Sequence, residues 1–331
     1  MNPALQGLLT IIIGVGGCIA YYFFSNQFLD KVLYPPSGPN AGRNINRANM
    51  IRPWLFLFPA LFVLGLYLAY PVFETFRLSL TQRGAGFVGF DNYARMFGEP
   101  KFREAMQNNM LWLVVVPAFS TGFGLLAAQL TDRIGWGNIA KSLIFMPMAI
   151  SFVGAAVIWK LVYDVRPVDQ EQIGILNAIL LGLGWDQPVT FLTVPFWNNF
   201  FLMIVLVWIQ TGFAMVILSA ALRGIPEETI EAAIIDGANP FQIFFKIKVP
   251  QIMGTIVVVW TTITIVVLKV FDIVFAMTNG QWKTQVLANY MYDKLFRAND
   301  WGVGSAAAMI IMLLVTPILV WNVYSARKEM R

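Results

Sequence analysis

The chain has 331 residues, of which 58% are hydrophobic and only 12% charged, with a mean hydropathy of +0.65 and a net charge of +5. Soluble domains carry about 25% charged residues, so this composition describes an integral membrane protein, read as all-α from its long apolar runs. There is no His, and Cys18 is the only Cys. That excludes a zinc site, a disulfide framework and a His-based catalytic triad, and a modest positive charge spread over loops points to no nucleic-acid partner.

A membrane span needs about 20 mostly apolar residues. Seven runs qualify, at 4–25, 54–76, 109–130, 139–163, 198–222, 251–276 and 304–324. No Lys or Arg precedes the first, so it lacks the basic region that opens a secretory signal peptide. Lys31, Arg43, Arg47 and Arg52 follow it, which puts that flank in the cytoplasm and the N-terminus outside. An interfacial anchor is the alternative for this first run. The Pro/Gly/Asn-rich stretch Tyr34–Gly42 reads as a linker with little structure of its own. The domain reading is therefore an accessory N-terminal transmembrane helix at 1–30, a cytoplasmic linker at 31–52 and a six-span core at 53–331.

With that orientation, 12 Lys and Arg residues lie on the cytoplasmic side and 10 outside, a bias too small to fix topology alone. The second run contains Pro59 and Pro71. Prolines are tolerated in membrane helices where neighbours satisfy the freed carbonyls, and either kinks or gentle curvature would accommodate these two. The outside loop that follows carries Phe87-Val88-Gly89-Phe90-Asp91-Asn92-Tyr93 and five basic residues, among them Arg83 and Arg95. It reads either as a solvated face or as a lobe against an acidic partner. The fourth run holds Phe145-Met146-Pro147-Met148 and ends at Trp159-Lys160, where an interfacial Trp and a snorkelling Lys are expected. The outside segment 160–197, with Gly174-Ile175-Leu176-Asn177, is long enough to be an interaction surface.

Residues 223–250 form a polar island between two apolar runs. Pro226 suits a first helical turn, and Glu227, Glu228 and Glu231 place negative charge near its positive end. Ile230, Ala233, Ile234, Gly237 and Ala238 make one apolar stripe. Pro240 disfavours helix at Asn239, and a second short helix can restart there, with Asn239 as N-cap and Gln242 closing a capping box. The pattern Glu231-Ala232-Ala233, Asp236-Gly237, Ile247 and Val249-Pro250 resembles the EAA loop of binding-protein-dependent ABC importer permeases. Phe87–Tyr93, the Pro147 segment and Gly174–Asn177 resemble the sugar-permease branch, of maltose or α-glucoside type. An amphipathic connector that packs on its own protein is the plainer reading of the loop.

The resemblance implies a six-helix permease core, here with one extra N-terminal transmembrane helix, in a bacterial inner membrane. Glu231, Ala232, Ala233, Asp236, Gly237, Ile247 and Pro250 would then couple to a cytoplasmic ATPase, with the C-terminus on the same side. It also implies a second homologous permease subunit, two ATPase copies, an extracytoplasmic solute-binding protein and a sugar substrate. No G-x-x-x-x-G-K-[ST] motif is present, so ATP and Mg belong to the partner ATPase; the permease itself is expected to carry neither a cofactor nor catalytic residues.

A transported sugar needs aromatic faces and hydrogen-bonding side chains. Trp208, Gln210, Phe213, Thr262 and Asp272 are the substrate-pathway candidates, in the spans on either side of the coupling loop. Packing is the alternative for the aromatics and for Thr262. The asparagines used by maltose-type permeases are replaced by Leu206, Val267 and Val270. Lys269 and Asp272 stand three residues apart and would meet on one helix face, as a self-neutralised pair or as a functional one. After Thr278-Asn279-Gly280, Gln281 and Trp282 replace the Gly-Pro usual in the family. A permease for a polyol or glycerol phosphate, an ion-driven secondary transporter and a membrane scaffold are the competing readings.

Overall fold

The computed structural model describes residues 3–132 and 134–329. Two compact units divide between Glu74 and Thr75.

The first unit holds α1 (Pro3–Phe28), a wide π-turn at Leu29–Leu33 and α2 (Ala41–Leu64). Two sequence expectations change here. Residues 34–40 are irregular, but helix resumes at Ala41, so 41–52 is helical and not loose linker. The accessory helix also shares its unit with the second span, instead of ending at a boundary near residue 52.

The sequence chemistry behind this pairing is local. Pro59 has no N–H, so the carbonyl of Leu55 loses its helical partner. The Tyr21 hydroxyl of α1 donates to that carbonyl at 2.9 Å, and Tyr22 donates to the carbonyl of Phe56 at 3.2 Å. One turn nearer the connection, the Arg52 guanidinium binds Asp30 at 2.7 Å and the Asn26 amide oxygen at 3.0 Å. Pro71 breaks nothing: a π-turn at Gly65–Ala69 carries α2 into α3 (Tyr70–Ser79), and the stretch Ala41–Ser79 is helical throughout.

In the second unit a short antiparallel hairpin, β1 (Thr81–Gln82) and β2 (Gly86–Phe87), leads into α4 (Asp91–Gly98). Buried Asn92 donates to the carbonyls of Ser79 and Thr81 at 2.9 and 2.8 Å, which fixes this loop. There follow α5 (Pro100–Thr131), α6 (Gly137–Phe145), α7 (Phe152–Val162), α8 (Ile175–Gly182) and α9 (Trp197–Arg223). The chain continues through α10 (Glu227–Ile235), α11 (Pro240–Gln242), α12 (Val249–Gln251), α13 (Met253–Leu268), α14 (Asp272–Met277), α15 (Leu287–Tyr292) and α16 (Trp301–Glu329).

The axis of this unit is α9. Some 61% of its apolar stretch is buried, against 33% for α5, so α9 sets where the other helices pack. Small residues bring its neighbours close, as in many membrane interfaces. A Cβ on Gly124 of α5 would lie 2.4 Å from that of Ala214, and one on Gly212 would lie 2.7 Å from the carbonyl oxygen of Ile144. Trp112, Met203, Leu206, Ile209, Met215 and Ile263 fill the core between them.

Among the described residues, five helices are long and apolar enough to cross a membrane, or up to seven if two bent pairs are each one span. The expected fourth span, 139–163, is one of these pairs. A 3₁₀ turn at Met146–Ala149 ends its first arm, and the chain then turns by 105° before Phe152. Ser151 then caps α7 by accepting from the N–H of Gly154 at 3.1 Å. The expected sixth span, 251–276, is entered through a 71° bend at Ile252 that separates it from 240–251, and its helix α13 ends at Leu268. Sixteen residues make about 24 Å of helix, short of a hydrocarbon core of about 30 Å. The chain breaks at Lys269–Phe271 and restarts as α14.

At the end of α9 away from residues 223–250, the turn between α14 and α15 holds Asn279, Trp282 and Lys283 at positive φ. Such backbone is costly for residues other than glycine. Side-chain amides secure it: Asn198 donates to the Trp282 carbonyl at 2.7 Å, while Asn108 donates to the carbonyls of Lys283 and Gln285 at 3.0 and 2.8 Å. In the 160–197 segment buried Asn177 plays a similar part, donating to the carbonyls of Asp164 and Val189 at 2.9 and 3.1 Å.

Candidate functional site

The loop 223–250 is a structured element. Its first helix, α10, ends at Ile235, and Gly237 then adopts φ +80°. The N–H of Gly237 donates to Ile234 at 3.0 Å and that of Ala238 to Ala233 at 2.9 Å, the paired bonds of a Schellman turn. A Cβ on Gly237 would meet nothing within 4 Å, so within this chain the glycine is required by conformation and not by crowding. Asn239 then caps the next helix as the sequence predicts. Its side chain accepts from the Gln242 N–H at 2.9 Å, and the Gln242 side chain accepts from the Asn239 N–H at 2.9 Å. From there a π-turn at Ile243–Lys248 leads into α12.

The predicted apolar stripe divides. Ala233 is buried and Ile230 packs against the core, but Ile234 and Gly237 are exposed. Glu231, Ala232, Asp236 and Pro250 are also exposed, and Ile247 is half-buried. Ile235 and Phe241 are 85% and 77% exposed, and Ile234 and Phe245 also stand open, so the loop presents apolar surface that its own chain does not cover.

The second feature lies where both helix breaks meet α9. A cavity of about 400 Å³ is walled by Met148 and Ser151 from the first break, Gln210 from α9 and Asp272 from the second. Its volume falls within the range of small-molecule sites. Gln210 is only 6% exposed, and neither its amide nor the Asp272 carboxylate has a side-chain hydrogen bond or ion pair among the described residues. A smaller space of about 160 Å³ adjoins it through Phe152 and Asp272 and is also lined by Lys269.

The expected Lys269–Asp272 pair is therefore not formed. The helix stops between them, so the three-residue spacing no longer puts them on one face; no ion pair joins them among the described residues, and Asp272 faces the cavity. The other candidates separate. Trp208 lines a different, larger cavity of about 800 Å³, where it packs edge-on against Trp159 at 5.7 Å. Thr211 is the polar residue in that wall, and its hydroxyl is already donated to the Val207 carbonyl at 2.7 Å. Phe213 packs against the main core, and the Thr262 hydroxyl donates to Val258 in its own helix at 2.8 Å. Of the five substrate-pathway candidates, only Gln210 and Asp272 are brought together.

One cluster escaped the sequence reading. Asp132, the C-cap residue just after α5, accepts from Arg223 Nε and Nη2 at 3.0 and 2.8 Å, from Ser219 Oγ at 3.1 Å and from Lys141. Burial would raise its carboxyl, but the hydrogen bonds from Lys141, Arg223 and Ser219 outweigh this and hold it below the usual carboxylate range. A signal was present: an acidic residue at a helix C-terminus has the wrong sign for the helix dipole and needs a cation beside it.

Comparison with known proteins follows the same lines. Residues 120–330 match the family described as binding-protein-dependent transport system inner membrane component. The chain is 62% identical, over 99% of both chains, to the alpha-glucoside transport system permease protein AglF of Rhizobium meliloti (strain 1021). It is 48% identical to the osmoprotective compounds uptake permease protein GgtC of Synechocystis sp. (strain ATCC 27184 / PCC 6803 / Kazusa), over 84% of this chain and all of that one. Its fold is shared with a chain of a bacterial ABC transporter involved in the import of the acidic polysaccharide alginate, with a TM-score of 0.72 at 22% identity, covering 86% of this chain and 98% of that one. The chain therefore belongs to the family of inner membrane components of binding-protein-dependent transport systems.

Proposed function

We propose that this chain is the permease subunit of an ATP-driven importer that moves an α-glucoside or a related oligosaccharide across the inner membrane. The carrying observation is the 62% identity, over 99% of both chains, to an alpha-glucoside permease. In this reading residues 53–331 are the permease core and 1–30 an accessory helix. The loop 223–250 faces the cytoplasm and docks on the ATPase through Glu231, Ala232, Ala233, Asp236, Gly237, Ile247 and Pro250. Exposed Ile234, Ile235, Phe241 and Phe245 supply the apolar part of that contact. ATP and Mg are bound by two copies of the ATPase, a second homologous permease completes the membrane part, and a solute-binding protein delivers the sugar. The sugar meets Gln210 and Asp272 in the cavity at the helix breaks, where their free polar groups can pair with hydroxyls.

Alternating access follows from two states of the bundle whose populations ATP and the loaded binding protein bias differently. The 48% identity to an osmoprotectant permease supports a second substrate reading, and the two are tested together. The chain is assembled with its ATPase and second permease in proteoliposomes, and hydrolysis is measured with binding protein loaded with α-glucoside or with an osmoprotective solute. Hydrolysis and uptake stimulated by α-glucoside, and lost on Glu231→Lys, is the expected result. Stimulation by the osmolyte alone would replace the substrate, and uptake without ATP would overturn the importer reading. Gly237→Leu places a Cβ at φ +80°, which costs about 1–2 kcal/mol. It should weaken ATPase co-purification by about 5- to 30-fold at unchanged expression.

A further inference from the structure

The two roots of the loop 223–250 are fastened to one place. Arg223, the last residue of α9, precedes α10 by a three-residue connection, and its guanidinium holds Asp132 at the end of α5. At the other root, Lys248 Nζ donates to Gln129 Oε1 at 3.3 Å, three residues earlier on the same α5 turn. The third element is α6. Its Lys141 binds both Asp132 and Ser219 Oγ, the latter at 2.6 Å, and so ties α6 to the last turns of α5 and α9. The turn between α5 and α6 is tight enough that a Cβ on Gly137 would fall 1.9 Å from the carbonyl oxygen of Thr131. Lys141 is thereby held close to Asp132.

Helix stability does not account for Asp132. A carboxylate at a helix C-terminus opposes the helix dipole, and alanine or lysine there would serve α5 better. Its placement makes sense as a junction. Moreover α6 is the arm that ends at the 105° break, and that break lines the cavity with Gln210 and Asp272. A shift of either loop root therefore acts on α5 and α6 at one point, and α6 leads directly to the cavity wall.

We infer that Asp132 is a positioning residue for transport: with Gln129 it forms the hub through which movement of the coupling loop reaches the α6–α7 break. The inference rests on the permease reading above. Pairs of this kind couple when they share a network, so single and double variants should not add.

The test uses the full complex in proteoliposomes, with sugar uptake and ATP hydrolysis measured in the same vesicles. In Asp132→Asn, the complex should assemble and hydrolyse ATP while sugar moved per ATP falls about fivefold or more, the lower end of coupling between linked sites. Asp132→Glu should restore part of the ratio. Arg223→Ala should show the same defect, and the double variant should be no worse than either single. Gln129→Leu, which spares the charged cluster, should lower the ratio by itself. An unchanged ratio in assembled Asp132→Asn, additive losses in the double variant, or failure of both Asp132→Asn and Gln129→Leu to assemble would overturn the inference; the last would make the cluster a folding staple. Absence of ATP-linked uptake in the unaltered complex would instead count against the permease reading itself.

Discussion

Two of the polar clusters in the second unit differ in one respect. Around Asp132 every charge has a partner: one carboxylate takes bonds from Arg223, Lys141 and Ser219. Around Gln210 and Asp272 the polar groups face a cavity of about 400 Å³ and have no side-chain partner among the described residues. Leaving a polar group unpaired away from water costs about 1–3 kcal/mol, a cost that falls where a cavity leaves room for a ligand to supply the missing bond. The satisfied cluster ties α5, α6 and α9 together, and the open one is where, on the proposed reading, a hydroxylated solute would bind. In a membrane protein the informative polar residue is the one whose bonds are incomplete.

Substitutions can break or sharpen that contrast. The largest effect is expected at Asp272, because bonds to a charged group contribute about 1.5–3 kcal/mol. Asp272→Leu should raise the apparent KM for sugar by about 10- to 150-fold, with the ATP cost per sugar unchanged; steady-state uptake checks both. An unaltered KM would return Asp272 to a structural role. Gln210→Leu removes a neutral partner worth about 0.5–1.5 kcal/mol and should raise KM by about 2- to 12-fold. A third variant concerns the first unit: Tyr21→Phe leaves the Pro59-freed carbonyl of Leu55 without its donor. Side-chain hydrogen bonds within membranes average about 0.6 kcal/mol, so a fall of that order in unfolding free energy is expected, with no change in KM.

The smallest effect concerns pH. The Asp132 carboxyl sits below its usual value of about 3.9. The stabilisation it gives is therefore complete above that value and is lost only as pH falls through the lowered one. Sugar moved per ATP should be flat from about pH 5.5 to 8 as far as this cluster is concerned; a step in that window that vanishes in Asp132→Asn would contradict the assignment.

The loop 223–250 was legible in the sequence because its signals are local. Asn239, Pro240 and Gln242 lie within four positions, and the capping box they predict forms. The Gly237 turn likewise needs only its own backbone conformation. The helix breaks were not legible from hydropathy, since 139–163 stays apolar on both sides of its bend and 251–276 on both sides of the Lys269–Phe271 break. Direction is invisible to a sum of transfer energies. Pro147 followed by Ser151 and Gly154, a turn with a new N-cap, was the available sign of the first break, and Lys269 within an apolar run was the sign of the second. The Asp132 cluster was out of reach for another reason: Ser219 and Arg223 lie 87 and 91 positions away, and only packing of α5 on α9 makes them neighbours. Trp208 shows the same limit: an aromatic in an apolar helix gives no hint whether it faces a ligand or, as here, lines an apolar cavity beside another Trp.

One paired measurement bears most directly on the contrast: apparent KM for sugar and sugar moved per ATP, in the same proteoliposomes, for Gln210→Leu and Asp132→Asn. The account predicts that Gln210→Leu moves only the first quantity and Asp132→Asn only the second. If both variants change the same quantity, or if their effects are exchanged, the separation of a binding cluster from a coupling cluster is wrong.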